Sequence, residues 1–255
     1  GGIPVKTYQM MDSIVNYKKI SQRNVFKDID ELSSAFISML KKDTEKLNPQ
    51  KDFYHIAFSG GSTPLKIFDK LSKENNIKFD RFKIFWGDER CVSPHHEESN
   101  YGNTYKILLS RISVSHENVF RIKGENVPEY EKLRYTKILE NIPVESSFPV
   151  FDLIMLGLGE DGHTASIFPE NMNLLNSSNW LDITSHPSTG QKRITFTGNV
   201  INNAKKVIFI ATGENKREVI KSIFNDLPEA RSFPAYYIRP KCELIWFLDK
   251  NATHQ

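Results

Sequence analysis

An aspartate and a histidine close a glycine-rich run, Gly157-Leu158-Gly159-Glu160-Asp161-Gly162-His163, directly after the apolar segment Phe151–Leu156. Histidine is the side chain whose unperturbed pKa falls in the physiological range, which suits it to general-base work. A carboxylate such as Asp161, or a backbone carbonyl, can orient the ring. The same run matches the Gly-x-Gly-x-x-Gly fingerprint of dinucleotide sites. That fingerprint needs a long crossover helix after its third glycine. Here Pro169 stands seven positions past Gly162, and Glu160 and Asp161 would turn two negative charges on a pyrophosphate. Asp182 lies 20 residues past Gly162, at the spacing of a ribose acid, but one position matches easily by chance. The residues therefore favour a base-bearing loop over a nicotinamide site. The plainer alternative is a histidine that caps a short helix.

Three other clusters carry chemistry. Ser59-Gly60-Gly61-Ser62-Thr63-Pro64 offers adjacent glycines, three hydroxyls and a proline suited to a first helical turn. Exposed backbone N–H groups at a helix N-terminus form a phosphate cradle. No Gly-Lys-Ser/Thr follows, so this is not a Walker loop; a capped turn without ligand is the bland alternative. In Trp86-Gly87-Asp88-Glu89-Arg90, the arginine can clamp an anionic oxygen with its planar fork. Asp88 and Glu89 can hold Arg90 or accept hydroxyls, against the alternative of a surface ion pair. Thr212-Gly213-Glu214-Asn215-Lys216 supplies a lysine that can add a point charge to a phosphate site, and Arg193 is a further cation candidate. The remaining histidines have no ligand spacing, and neither a zinc motif nor a nucleophile elbow is present. No metal and no cofactor are expected.

Each cluster follows a strand-like run. These runs are Phe53–Phe58, Phe82–Trp86, Phe151–Leu156 and Lys206–Ala211, with a fifth at Leu244–Leu248. Helical segments fall between: Ile29–Leu47 with a stripe of Leu32, Phe36, Ile37 and Leu40, then Pro64–Leu71 with Thr63 as N-cap, Tyr101–Ile112, Val127–Leu139 and Glu214–Phe224. Alternation of this kind predicts an α/β fold: a mainly parallel sheet covered by helices on both faces. Open α/β sheets bind ligands beyond the carboxyl ends of their strands, where all four clusters fall. The segment 171–192, rich in Asn, Ser, Thr and Gly, suggests an exposed loop. No break forces a second domain, so residues 1–255 are expected to form one.

Bulk properties narrow the partners. The chain has 255 residues, 39% apolar and 25% charged, which is the composition of a folded protein. A net charge of +3 suits an anionic small molecule and falls short of a nucleic-acid-binding stripe. No apolar run approaches the roughly 18 residues of a membrane span. Two distant cysteines, Cys91 and Cys242, suggest a reduced, cytoplasmic setting. The start, Gly1-Gly2-Ile3-Pro4, reads as an expression scar or as a piece cut from a longer chain.

In order, the motifs resemble those of the 6-phosphogluconolactonase family: Ser59–Pro64, Asp88–Arg90, Gly157–Pro169, Arg193–Thr197 and Gly213–Lys216. The likeness spans about Phe53 to Leu248, with Met10 to Asp28 fitting only loosely. It implies a Rossmann-like fold shared with glucosamine-6-phosphate deaminases. It also implies metal-free hydrolysis of 6-phospho-D-glucono-1,5-lactone to 6-phosphogluconate in the oxidative pentose phosphate pathway. On that resemblance His163 is the general base, supported by Asp161, with Arg90 in the catalytic set. Gly60, Gly61, Ser62, Thr63, Asp88, Arg90, Gly162, Arg193 and Lys216 would contact substrate. The related deaminases carry a glutamate five residues after the histidine and usually an aromatic at the Arg90 position; here Phe168 precedes Pro169. A non-catalytic sugar-phosphate sensor would need the cradle but not the Asp161–His163 pair. In some unicellular parasites the family is fused to glucose-6-phosphate dehydrogenase, and the abrupt start is compatible with such a fusion.

Overall fold

The computed structural model describes residues 21–48, 50 and 52–254. The expectations for Gly1–Pro4 and for Met10 onward as far as residue 20 lie outside them. The strands are β1 (Ser21–Phe26), β2 (Tyr54–Phe58), β3 (Phe82–Trp86), β4 (Asp88–Arg90), β5 (Val119–Phe120), β6 (Val144–Glu145), β7 (Phe148–Pro149), β8 (Leu153–Leu156), β9 (Leu181–Ser185), β10 (Lys192–Phe196), β11 (Lys206–Ala211) and β12 (Glu243–Asp249). The α-helices are α1 (Ile29–Glu45), α2 (Ser62–Leu71), α3 (Asn100–Thr104), α4 (Pro128–Leu139), α5 (Gly198–Asn202) and α6 (Arg217–Phe224).

The main sheet runs β1-β12-β11-β8-β2-β3-β5, and every pairing is parallel. Every residue of β8 and β11 is buried. Both faces of these strands are therefore covered, which is why they read in the sequence as continuous apolar runs. From β2 the chain steps through β3 to β5 on one side, then returns to β8 on the other and continues to β11 and β12. The strand order reverses between β2 and β8. A reversal leaves a crevice beyond the carboxyl ends of the two diverging strands.

Local rules set the helices. In α1, Leu32, Phe36, Ile37 and Leu40 form the buried stripe, and the Asp28 carboxylate caps the start by accepting from the Asp30 and Glu31 N–H groups. α2 begins two residues earlier than Thr63 capping would allow: Gly61 is its N-cap, with φ of 104°, and Thr63 lies inside the first turn. α3 passes into a π-helical turn over Tyr105–Leu109, short of the Ile112 end that the sequence suggests. α6 is preceded by a 3-10 turn at Glu214–Lys216, which keeps Lys216 at the strand end.

A second, antiparallel sheet, β4-β10-β9, stands beside the first, with β6 and β7 forming a separate ribbon. It corrects the loop suggested for 171–192, which holds part of a 3-10 stretch (Pro169–Asn176) and β9. Polar groups there are satisfied internally: Thr184 Oγ1 donates to the Ser166 carbonyl, and the Asn179 carbonyl accepts from Thr197 Oγ1. Composition alone hides a strand whose polar side chains find local partners. Among the described residues, no helix is long and apolar enough to cross a membrane.

Candidate active site

The crevice at the reversal point holds a cavity of about 360 Å³. All four chemical clusters meet there. The β2 turn contributes Gly60, Gly61, Ser62 and Thr63; β4 contributes Asp88 and Arg90; the β8 loop contributes His163; β10 and the β11 turn add Arg193 and Lys216. Two hydrogen bonds lock the turns together: Thr63 Oγ1 with Thr212 Oγ1 at 2.8 Å, and Asn215 Nδ2 to Glu160 Oε1 at 2.6 Å.

His163 is half-buried and held by its neighbour. Asp161 Oδ1 accepts from the His163 backbone N–H at 3.0 Å and lies 2.6 Å from ring Nδ1. An ionised carboxylate only accepts, so Nδ1 carries the proton and Nε2 keeps its lone pair for the cavity. Burial pushes the Asp161 carboxyl up. The hydrogen bonds from the His163 ring and backbone, with the positive charge the ring carries when protonated, outweigh burial and hold it below its ordinary value. Gly159 makes the arrangement possible: a Cβ there would overlap His163 Nδ1 and Asp161 Oδ1.

Lys66, Arg90, Arg193 and Lys216 all line the cavity. Among the described residues, no carboxylate stands within ion-pair distance of any of them. Arg90 donates through Nη1 to the Glu98 carbonyl, but its Nε, like that of Arg193, is buried without a partner. Arg90 and Arg193 face each other across the β4–β10 pair. Burial, then the charge of Arg90, pulls the Arg193 guanidinium below its ordinary value. Two adjacent unneutralised arginines are costly unless an anion joins them. The α2 N-terminus adds first-turn N–H groups that no side chain caps.

The family model described as glucosamine-6-phosphate isomerases/6-phosphogluconolactonase matches residues 27–246. A 6-phosphogluconolactonase of Treponema pallidum is 36% identical over 229 residues, 88% of this chain and 92% of that protein. One from Aggregatibacter actinomycetemcomitans is 40% identical over 203 residues, 78% of this chain and 86% of its own length. The crystal structure of 6-phosphogluconolactonase from Thermotoga maritima superposes with a TM-score of 0.78 at 28% identity, covering 90% of this chain and 100% of that one. The chain belongs to the glucosamine-6-phosphate isomerase/6-phosphogluconolactonase family.

In this family member Phe168 is fully buried beneath the site. Its ring packs 4.9 Å from the His163 ring and 5.4 Å from that of His186, and the Arg193 guanidinium lies over it at 5.6 Å. A phenyl ring under the histidine supplies no carboxylate for a proton relay. Asp88 is buried, and its Oδ2 accepts from Ser166 Oγ at 2.7 Å.

Two expectations need correction. Gly162 does not line the cavity; with φ of 80° it shapes the turn and is packed against Phe233. Glu89 cannot accept a ligand hydroxyl, because it is 2% exposed and its carboxylate is taken up by backbone and Ser99 donors. Asp161 stands off the lining, bonded to His163 from behind, in the orienting position expected of it. Sequence reasoning also misses Lys66 and Asn100, which line the cavity. Lys66 lies four residues after Ser62 on one helical face, a spacing that betrays it. Asn100 has no such signal, since the excursion between β4 and α3 brings it back to the strand.

Proposed function

We propose that this chain is a 6-phosphogluconolactonase, which hydrolyses 6-phospho-D-glucono-1,5-lactone to 6-phosphogluconate. The observation that carries this reading is a histidine tethered to a carboxylate in a cavity whose four cations lack carboxylate partners among the described residues. Such a cavity suits a small substrate with a phosphate and a reaction that develops negative charge. The names of the family members at 36% and 40% identity support the same substrate.

In this reading His163 Nε2 takes a proton from water as the water oxygen attacks C1 of the lactone. The carbonyl electrons move onto oxygen, where arginine or lysine stabilises the oxyanion. The intermediate collapses by breaking the bond from C1 to the ring oxygen, which takes the proton from Nε2. Asp161 stabilises the transient imidazolium. The uncapped α2 turn, with Lys216 and Arg193, would hold the 6-phosphate, and Asp88 and Arg90 would position the sugar. Both cysteines are free, which supports a reducing, cytoplasmic setting. Glucose-6-phosphate dehydrogenase, fused or associated, belongs to the same proposal as the source of the lactone.

The test is a coupled assay on freshly generated lactone, corrected for spontaneous hydrolysis and run beside an assay for glucosamine-6-phosphate deamination. Hydrolysis above the spontaneous rate, lost in His163→Ala, is expected. Deamination without lactone hydrolysis would replace this reading by the other activity of the family. Phosphosugar binding with neither activity would make the protein a sensor.

A further inference from the structure

Glu89 is a buried carboxylate beside the cavity with no part in the chemistry above. It is 2% exposed, and its two oxygens accept from four donors. Oε1 takes the N–H groups of Arg90 and Asn100, both at 2.8 Å, and Oε2 takes that of Tyr101 at 2.9 Å and Ser99 Oγ at 3.1 Å. Three of these donors lie on the 99–101 segment and one on β4. Both flanking residues of Glu89, Asp88 and Arg90, line the cavity, and so does Asn100. Asn100 in turn donates from Nδ2 to the Asp88 carbonyl at 3.0 Å, and its Oδ1 occupies the space where Gly60 has no side chain. One carboxylate thus fastens three wall residues to one another and, through Asn100, to the turn at 60–63.

We propose that Glu89 is a positioning residue: its carboxylate sets the spacing between the Arg90 strand and the Asn100 segment, and so the fit of the cavity to a phosphosugar, without touching the ligand. The proposal rests on the phosphosugar reading of the cavity. Every neighbour of the carboxylate is a donor, so a proton on it must displace at least one of them. Burial pushes the Glu89 carboxyl up to about 7, against the pull of the Tyr101, Asn100 and Arg90 N–H groups. The charged and titratable groups around it are Asp88 and Arg90 on β4, Cys91 just after it, Arg193 on β10 and Tyr135 on α4. The fastening is therefore complete on the alkaline side of that value and loosened on the acid side.

Glu89→Gln keeps the shape but turns an NH2 group on two of the four donors. By calorimetry, its dissociation constant for 6-phosphogluconate should rise roughly tenfold or more, the scale of a hydrogen bond to a charged group. Turnover at saturating lactone should hold, as expected for loss of uniform binding. The wild type should bind more tightly as pH rises through about 7. The variant should retain only the part of that dependence due to the ligand phosphate. A lower melting temperature with unchanged affinity would make Glu89 merely structural and overturn the proposal. So would a fall in turnover with unchanged KM. Amide exchange in the wild type needs no variant to fold and no substrate. Protection of Arg90, Asn100 and Tyr101 should fall together on acidification, and independent behaviour would overturn the fastening. Failure of the wild type to bind 6-phosphogluconate would instead remove the phosphosugar reading, with the exchange result still deciding the role of Glu89.

Discussion

Replacing Asp161 by Asn should slow lactone hydrolysis far less than removing His163. The Asp161 Oδ1 that faces the ring also accepts the His163 backbone N–H. An amide will keep its oxygen there, because an NH2 group would oppose two donors at once. The tautomer of His163 survives, and only the negative charge is lost. Two unit charges about 4 Å apart are worth ~1 kcal/mol in water and ~4 kcal/mol near a protein surface. The His163 and Asp161 side chains are 28% and 43% exposed, so the lower half of that range applies. A loss of about 1–2 kcal/mol in stabilising the imidazolium corresponds to a fall in kcat of roughly 5- to 30-fold. His163→Ala, which removes the base, should cost roughly 10²- to 10⁴-fold on the same assay. The assay follows 6-phosphogluconate formation from lactone made in place, with the spontaneous rate subtracted. An Asn variant as slow as His163→Ala would mean that Asp161 controls the tautomer or takes the proton itself. A variant at the wild-type rate would mean that no imidazolium forms in the slow step.

Other parts of the site give separate outcomes. Lys216→Ala should raise KM with kcat nearly unchanged, because a point charge on a phosphate acts on ground and transition states alike; a fall in kcat alone would move this lysine to the oxyanion. Gly159→Ala places a Cβ against His163 Nδ1 and Asp161 Oδ1, so kcat should fall while the affinity for 6-phosphogluconate holds. Away from the site, Asp152 Oδ2 accepts from the His55 N–H and Oδ1 from Lys205 Nζ. Burial pushes its carboxyl up, but these partners outweigh burial and hold it below its ordinary value. A depressed carboxyl contributes stability above its unfolded value and loses it as pH falls through the folded one. Thermal melts of wild type and Asp152→Asn should therefore differ at neutral pH and converge in acid; a constant gap would refute the ionic account.

How much of this was legible depended on what each residue had to satisfy. The central strands were plain because a parallel sheet covered on both faces demands unbroken apolar runs, and β8 and β11 supply them. β1 fared worse: Ser-Gln-Arg-Asn-Val-Phe is an edge strand with mostly partial burial and lacks the apolar run. β9 and β10 were hidden by polar residues, among them Thr184 and Thr195, which are buried because they are hydrogen-bonded in place.

The site divides along the same line. His163, Asp161 and the β2 turn announced themselves because their geometry depends on glycines and capping residues close in sequence. The wall opposite depends on pairs far apart: Arg90 beside Arg193, Asp88 on Ser166, Asn100 against Gly60. No local spacing encodes these, and each adds a constraint that the motif alone does not carry. Glu89 makes the point most sharply. As part of an acidic-basic triplet it suggests a ligand contact or a partner for the Arg90 guanidinium. In the fold it bonds the Arg90 backbone instead, and leaves both guanidiniums without a carboxylate. A wall built that way keeps its positive charge for an incoming anion, because its two buried acids are spent on other donors, Glu89 on three N–H groups and Ser99, Asp88 on Ser166.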